Sequence, residues 1–214
     1  MGQRLVITLQ KDGKDIAALY YHWSAYSISA LQEVKPLLEY LQSEEKKNSD
    51  YDPRLACLRF VQANGGGIDG GPKSEEFAYI RNLYPNEPLL EEGYNRSDGL
   101  VSMSENGIDD LQSWSNGDVY IDLDKKMVEN DVLNFFNSFD DYKEDLKQCM
   151  DPEDFNRIPK TEEEAKILEA SVNVVNFSFE QIDEVIDVLT QFQEDGYELI
   201  DVDFEERGFI STIC

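Results

Sequence analysis

The sequence predicts an α+β protein, with antiparallel β-hairpins at both ends of the chain and packed helices between them. Three observations lead there. Leu5, Ile7 and Leu9 alternate with Val6, Thr8 and Gln10 ahead of a Lys11-Asp12-Gly13-Lys14 turn and a return strand from Ile16 to Trp23. Asp-Gly between two apolar runs is a hairpin signal. The middle of the chain repeats apolar residues at helical spacing. Tyr197 to Phe204 and Phe209 to Ile213 then flank Glu205-Glu206-Arg207-Gly208 as a closing hairpin.

The elements between follow in order. Leu31, Val34, Leu37, Leu38 and Leu41 mark a helix starting at Ser27 or Ser29 and ending at Ser43. Pro36 is expected to kink or divide it, because proline removes an amide donor and crowds the preceding turn. Glu44 to Asp52 is polar and reads as loop. Pro53 opens a second helix, since proline suits a first helical turn, and Cys57 falls on its apolar side. A run of glycines follows, then a third helix from Pro72 to Tyr84. Residues 85–98 read as loop, Leu100 to Met103 as a short strand and Ile108 to Trp114 as a helical turn. Val119 to Val128 reads as a strand, residues 131–145 are ambiguous, and Thr161 to Ser171 is helical with Glu162, Glu163 and Glu164 in its first turn. Val172 to Phe177 is a strand. Ser178-x-x-Gln181 is a capping box opening a helix whose apolar face is Ile182, Val185, Ile186, Leu189 and Phe192, ended by Gly196. The chain divides at residue 130 into an N-terminal α+β region, 1–130, and an acidic C-terminal α+β region, 131–214, in two domains or one continuous one.

Charge is the strongest compositional feature. With 45 acidic and 19 basic residues the chain carries −26. Residues 1–100 hold 15 acidic and 11 basic residues, whereas residues 101–214 hold 30 and 8. A nucleic acid needs Lys and Arg to displace its counterions, so direct binding through that second half is excluded, as is an anionic membrane. With 41% apolar and 11% aromatic residues the chain has enough apolar material to fold. It has no apolar run of membrane-spanning length and no signal-peptide pattern, so the expected location is cytoplasmic. The three cysteines, Cys57, Cys149 and Cys214, are odd in number and far apart, which argues against disulfides and against zinc.

Four constellations invite a chemical reading. Gly65, Gly66, Gly67, Gly70 and Gly71, followed by Lys73, make a glycine-rich loop whose amides could cradle a phosphate, with Arg59 as a second cation. The order helix, glycines, helix matches neither a P-loop nor a dinucleotide fingerprint, so a tight connector is the competing reading. His22 is the only histidine and lies in Tyr20-Tyr21-His22-Trp23-Ser24-Ala25-Tyr26; at a strand end it reads as a packed, hydrogen-bonded structural residue. Asp122 with Asp124, and Asp201 with Asp203, lie two apart on strands and so share a face, which permits a divalent-metal site or paired acid–base work. No EF-hand or nuclease signature accompanies them, and no catalytic residue or cofactor is assigned.

The acidic rows have a further reading. Asp118, Asp122 and Asp124 form one; Glu180, Asp183, Glu184 and Asp187, three or four apart, share a helix face; Asp201, Asp203, Glu205 and Glu206 form a third. Like charges at that spacing weaken a helix slightly, so either solubility or a basic partner explains them. Acidic rows can imitate DNA phosphates.

The strings Met1-Gly2-Gln3-Arg4-Leu5, Tyr21-His22-Trp23-Ser24-Ala25-Tyr26, and Ser97-Asp98-Gly99-Leu100-Val101 through Val119-Tyr120-Ile121-Asp122-Leu123 resemble a family of small uncharacterised proteins from Firmicutes genomes and their phages. The resemblance covers the first 130 residues best and brings no catalytic residues with it. What it implies is context: phages and mobile elements encode small acidic proteins that block defence nucleases, anti-CRISPR proteins and DNA mimics among them. The expected function is therefore an acidic inhibitor covering the basic nucleic-acid-binding surface of a CRISPR effector or other nuclease. The alternatives are a phosphate or nucleotide binder using the glycine loop, and a divalent-metal enzyme using carboxylates.

Overall fold

A computed structural model of the protein describes residues 4–131 and 176–194. The fold is α+β. Its centre is a 7-stranded mixed sheet in the order β3-β4-β2-β1-β5-β6-β7. The strands are β1 (Leu5–Lys11), β2 (Lys14–Tyr21), β3 (Gly67–Ile68), β4 (Leu100–Ser102), β5 (Gly117–Asp122), β6 (Met127–Asn130) and β7 (Asn176–Ser178). The helices are α1 (Ser27–Lys47), α2 (Pro53–Ala63), α3 (Glu75–Leu83), α4 (Glu105–Ser113) and α5 (Ile182–Glu194).

The N-terminal hairpin forms as its sequence dictates. Asp12 and Gly13 take φ of 52° and 69°, the left-handed pair that a two-residue hairpin turn requires. β1 also pairs in parallel with β5, Leu5 beside Gly117 and Gln10 beside Asp122, so the hairpin lies at the middle of the sheet. Alternation along the strands sorts the side chains into two faces. Leu5, Ile7, Leu9, Leu19, Val119 and Ile121 point to the larger core, closed by α1, α2 and α5, with Phe77 and Ile80 of α3 joining it. Val6 and Ala18 point to the opposite face, where Ile108 and Leu111 of α4 cover them and Tyr20 packs alongside.

Several elements differ from expectation. α1 is undivided and runs through Pro36 to Lys47, so Glu44 to Lys47 are helical rather than loop. Pro36 and Gln32, whose carbonyl loses its helical donor, both lie on the exposed side, where water can satisfy that carbonyl. Leu31, Val34, Leu37, Leu38 and Leu41 are all buried on the other side and hold the helix to the core. The expected strand from Val119 to Val128 is in fact two strands, β5 and β6, folded back at residues 123–126. The Asp122 carboxylate accepts hydrogen bonds from the amides of Asp124 and Lys125, which stabilises the reversal.

Other elements form with adjusted ends. α2 starts at Pro53, with Asp52 capping the amides of Arg54 and Leu55, and Cys57 is buried in the core. α3 begins at Glu75 behind a Ser74 cap, three residues later than expected, and α4 extends back to Glu105. The Ser178–Gln181 capping box is present, a single 3-10 turn preceding α5. The segment 176–194 joins the same core: β7 pairs with β6, and Phe177, Val185 and Leu189 are buried with residues of β1 and α1. The C-terminal hairpin, the helix at 161–171, the end of α5 at Gly196, Cys149 and Cys214 lie outside the described residues.

Candidate functional site

The sequence-derived acidic rows do not converge. Asp118 is buried on β5. Asp122 ends that strand and binds the Lys125 ammonium at 2.7 Å, an attachment that, with the turn amides, lowers its pKa. Asp124 is not on a strand; it lies in the turn and accepts from the Asp12 amide at 2.5 Å. The expectation that Asp122 and Asp124 share a strand face is therefore corrected: both side chains are taken up by turns. Glu180, in the 3-10 turn before α5, and Asp183, Glu184 and Asp187, in its first turns, are exposed across the sheet from Asp118. Asp183 is paired with Lys35 of α1. Asp201, Asp203, Glu205 and Glu206 lie outside the described residues. Among the described residues no three His, Cys, Asp or Glu side chains gather closely enough to hold a metal ion.

The glycine loop is filled by the protein itself. It is not purely loop, since Gly67 and Ile68 form β3, parallel to Leu100 and Val101. A Cβ on Gly66 would lie 2.4 Å from the Gly99 carbonyl oxygen, and one on Gly67 would lie 2.4 Å from the Tyr94 ring. Gly70 faces Ser74 and Gly71 faces the Tyr94 hydroxyl, while Gly65 faces Asp98. These glycines let Tyr94 and the Asp98–Gly99 backbone approach closely. Lys73 is exposed. Arg59 makes two bonds of 2.6 Å to Glu87, so its guanidinium fork is occupied within the protein.

That Arg59–Glu87 pair makes a pH prediction. Arg59 holds the Glu87 carboxyl below its ordinary range. A depressed carboxylate contributes stability above its unfolded pKa, about 4.3, and loses it as pH falls through the lower folded value. Arg59 is half exposed, so solvent screening limits the contribution to about 1 kcal/mol. The melting temperatures of the wild type and Glu87→Gln should differ at pH 7 and converge towards pH 3.

The face of the sheet covered by α4 carries the chemistry that spacing did not reveal. A cavity of about 470 Å³ opens there. β2 and the residue just past its end supply Tyr20 and His22; Asp69 comes from the residue after β3. The 3-10 turn at Arg96–Asp98 supplies Arg96 and Ser97, and β4 supplies Leu100. α4 contributes Asp110 and Leu111, with Trp114 at its C-terminal cap. Trp114 is 60% exposed, and nearby Trp23 is 56% exposed.

His22 follows Tyr20 by two positions, just past the end of β2, and the phenol oxygen lies 2.7 Å from imidazole Nδ1. Burial, opposed by Arg4 and reinforced by Asp69, raises the Tyr20 pKa and keeps the phenol protonated. The His22 ring also meets Trp23 edge-on, with centroids 4.7 Å apart. The expected packed, hydrogen-bonded histidine is thus found, but on the wall of a cavity. Asp69, Arg96, Ser97, Asp110 and Trp114 were not singled out by the sequence as site residues. Their only signal was adjacency to the glycines, to the Ser97-Asp98-Gly99 string and to the end of α4. Arg96, Asp69 and Asp110 make no ion pair among the described residues.

No helix among the described residues is long and apolar enough to cross a membrane. No protein-family model, curated protein or solved structure matches the chain.

Proposed function

We propose that the protein is a binding protein and that the cavity beside α4 is its small-ligand site. One observation carries this reading: separate segments converge on a cavity of about 470 Å³ with charged groups on its wall and an indole at its rim. Small-molecule sites are concave, largely apolar, roughly 300–1,000 Å³, and carry a few placed polar groups. Leu100 and Leu111 are the apolar wall here, and Asp69, Arg96, Ser97 and Asp110 are the polar groups.

The test is a thermal-shift screen of small polar compounds against the wild type and Ser97→Trp. Ser97 is exposed, so the larger ring occupies the cavity without entering the core. A ligand at 100 times its Kd should stabilise the wild type by about 2.7 kcal/mol and leave the variant unmoved. Equal stabilisation of both proteins would place the ligand elsewhere and end this reading.

A second reading rests on charge. Glu180 in the 3-10 turn before α5, and Glu184 and Asp187 on α5, are exposed, and residues 101–214 hold 30 acidic against 8 basic residues. That supports the engagement of a basic surface, such as the nucleic-acid channel of a nuclease, by an acidic inhibitor. Binding should then weaken with salt and compete with DNA or RNA. Retained binding after charge reversal at Glu180, Glu184 and Asp187 would remove α5 from that role.

A further inference from the structure

The charges on the cavity wall restrict what can enter, and the argument rests on the cavity being the ligand site. Arg96 offers one positive charge and a planar fork of donors; Asp69 and Asp110 offer two negative charges. The chain as a whole carries −26. A ligand with several negative charges, such as a nucleoside diphosphate or triphosphate, would be repelled both locally and by the whole molecule. A simple cation would answer the carboxylates but leave Arg96 facing it. A simple anion would do the reverse, against two carboxylates instead of one cation. A molecule with one carboxylate and one ammonium or guanidinium answers all three groups. The rest of the cavity, Leu100, Leu111 and the Trp114 indole, suits an apolar or planar body, and an indole face also attracts a cation.

We propose that the cavity takes a small zwitterion of the α-amino-acid class, with net charge zero or +1 and an apolar or planar side chain. Arg96 receives the carboxylate, Asp69 and Asp110 receive the cationic group, and the side chain lies against Trp114. A guanidinium–carboxylate pair can form two parallel hydrogen bonds, which fixes the orientation of the ligand. Arg96, Asp110 and Trp114 are all exposed residues, so each can be changed without opening the core.

Calorimetric titration of the full-length protein tests the assignment. The probes are L-phenylalanine and L-arginine, their decarboxylated amines phenethylamine and agmatine, and adenosine monophosphate. The amino acids should bind roughly tenfold more tightly than the amines, because each amine lacks the charge-assisted bonds to Arg96. Arg96→Ala should abolish that difference, and Asp110→Asn should weaken amino acids and amines alike. Equal affinity of the wild type for amino acid and amine would overturn the proposal. So would adenosine monophosphate binding where the amino acids do not; if Ser97→Trp blocked that binding, the cavity would stand as the ligand site and only the amino-acid class would fall. If no probe binds and the compound screen finds no Ser97-sensitive ligand, the cavity reading itself fails.

Discussion

Replacing Glu76 with Ala should lower the unfolding free energy by about 3 kcal/mol, the combined effect of leaving several buried donors without their shared acceptor. Glu76 belongs to α3, is 7% exposed and reaches across to the start of α4. Its carboxylate accepts from the Met103 amide at 2.6 Å and the Ser104 amide at 3.1 Å, and it also accepts a hydrogen bond from the Ser104 hydroxyl. Ser104 in turn caps α4 by accepting from the Gly107 amide at 3.0 Å. One carboxylate therefore holds both the residues entering the helix and the residue that caps it. A negative charge at that point also opposes the positive end of the helix dipole. Glu76→Gln keeps one acceptor oxygen and the shape, so its loss should be smaller, about 1 kcal/mol. Urea denaturation of the two variants measures both values. A loss below 1 kcal/mol in Glu76→Ala would show that α4 is anchored by its apolar face alone. Because α4 carries Asp110, Leu111 and Trp114, ligand affinity should fall in parallel with stability.

Leu189→Ala should cost about 3 kcal/mol, within the range for truncating a fully buried leucine. Leu189 is 0% exposed on α5 and lies in one core with residues of α1 and the sheet. The residual cavity would sit where the segment 176–194 meets the first 131 residues, so this substitution reads how firmly that segment is docked. Glu184→Ala, on the exposed side of the same helix, is the control and should change stability by no more than about 0.5 kcal/mol. Similar small effects from both would mean that α5 contributes little to the fold.

Local signals carried much of this architecture. Asp12-Gly13 specified the hairpin because its two left-handed residues match the twist of the strands. The Leu and Val spacing of α1, the proline start of α2 and the Ser178–Gln181 box each marked a helix through a purely local requirement. The failures came where tertiary context decided. Pro36 faces water, and the buried leucines opposite keep α1 continuous past it. Asp122 offered a turn signal that the apolar residues on either side obscured. β3 is two residues long, too short for any period to show. The glycines around it are explained by Tyr94 and Gly99, whose approach depends on the folded chain. The cavity was least legible of all. Tyr20, Asp69, Arg96 and Asp110 come from elements that meet only through the sheet order β3-β4-β2 and the placement of α4 over it. Only the aromatic run around His22 drew attention in advance. The acidic rows were plain as composition, but residue spacing could not show that Asp118 is buried or that α5 lies across the sheet from it.

His22 is the only histidine in the chain and lines the cavity, so its imidazole gives a single, self-assigned reporter of occupancy. The most direct test is to follow the His22 imidazole proton signals by NMR while titrating L-phenylalanine or L-arginine at constant pH. A ligand seated in the cavity should shift those signals saturably, with the same Kd that calorimetry gives and with no shift in Ser97→Trp. Calorimetric binding that leaves the His22 signals in place would contradict the cavity as the binding site.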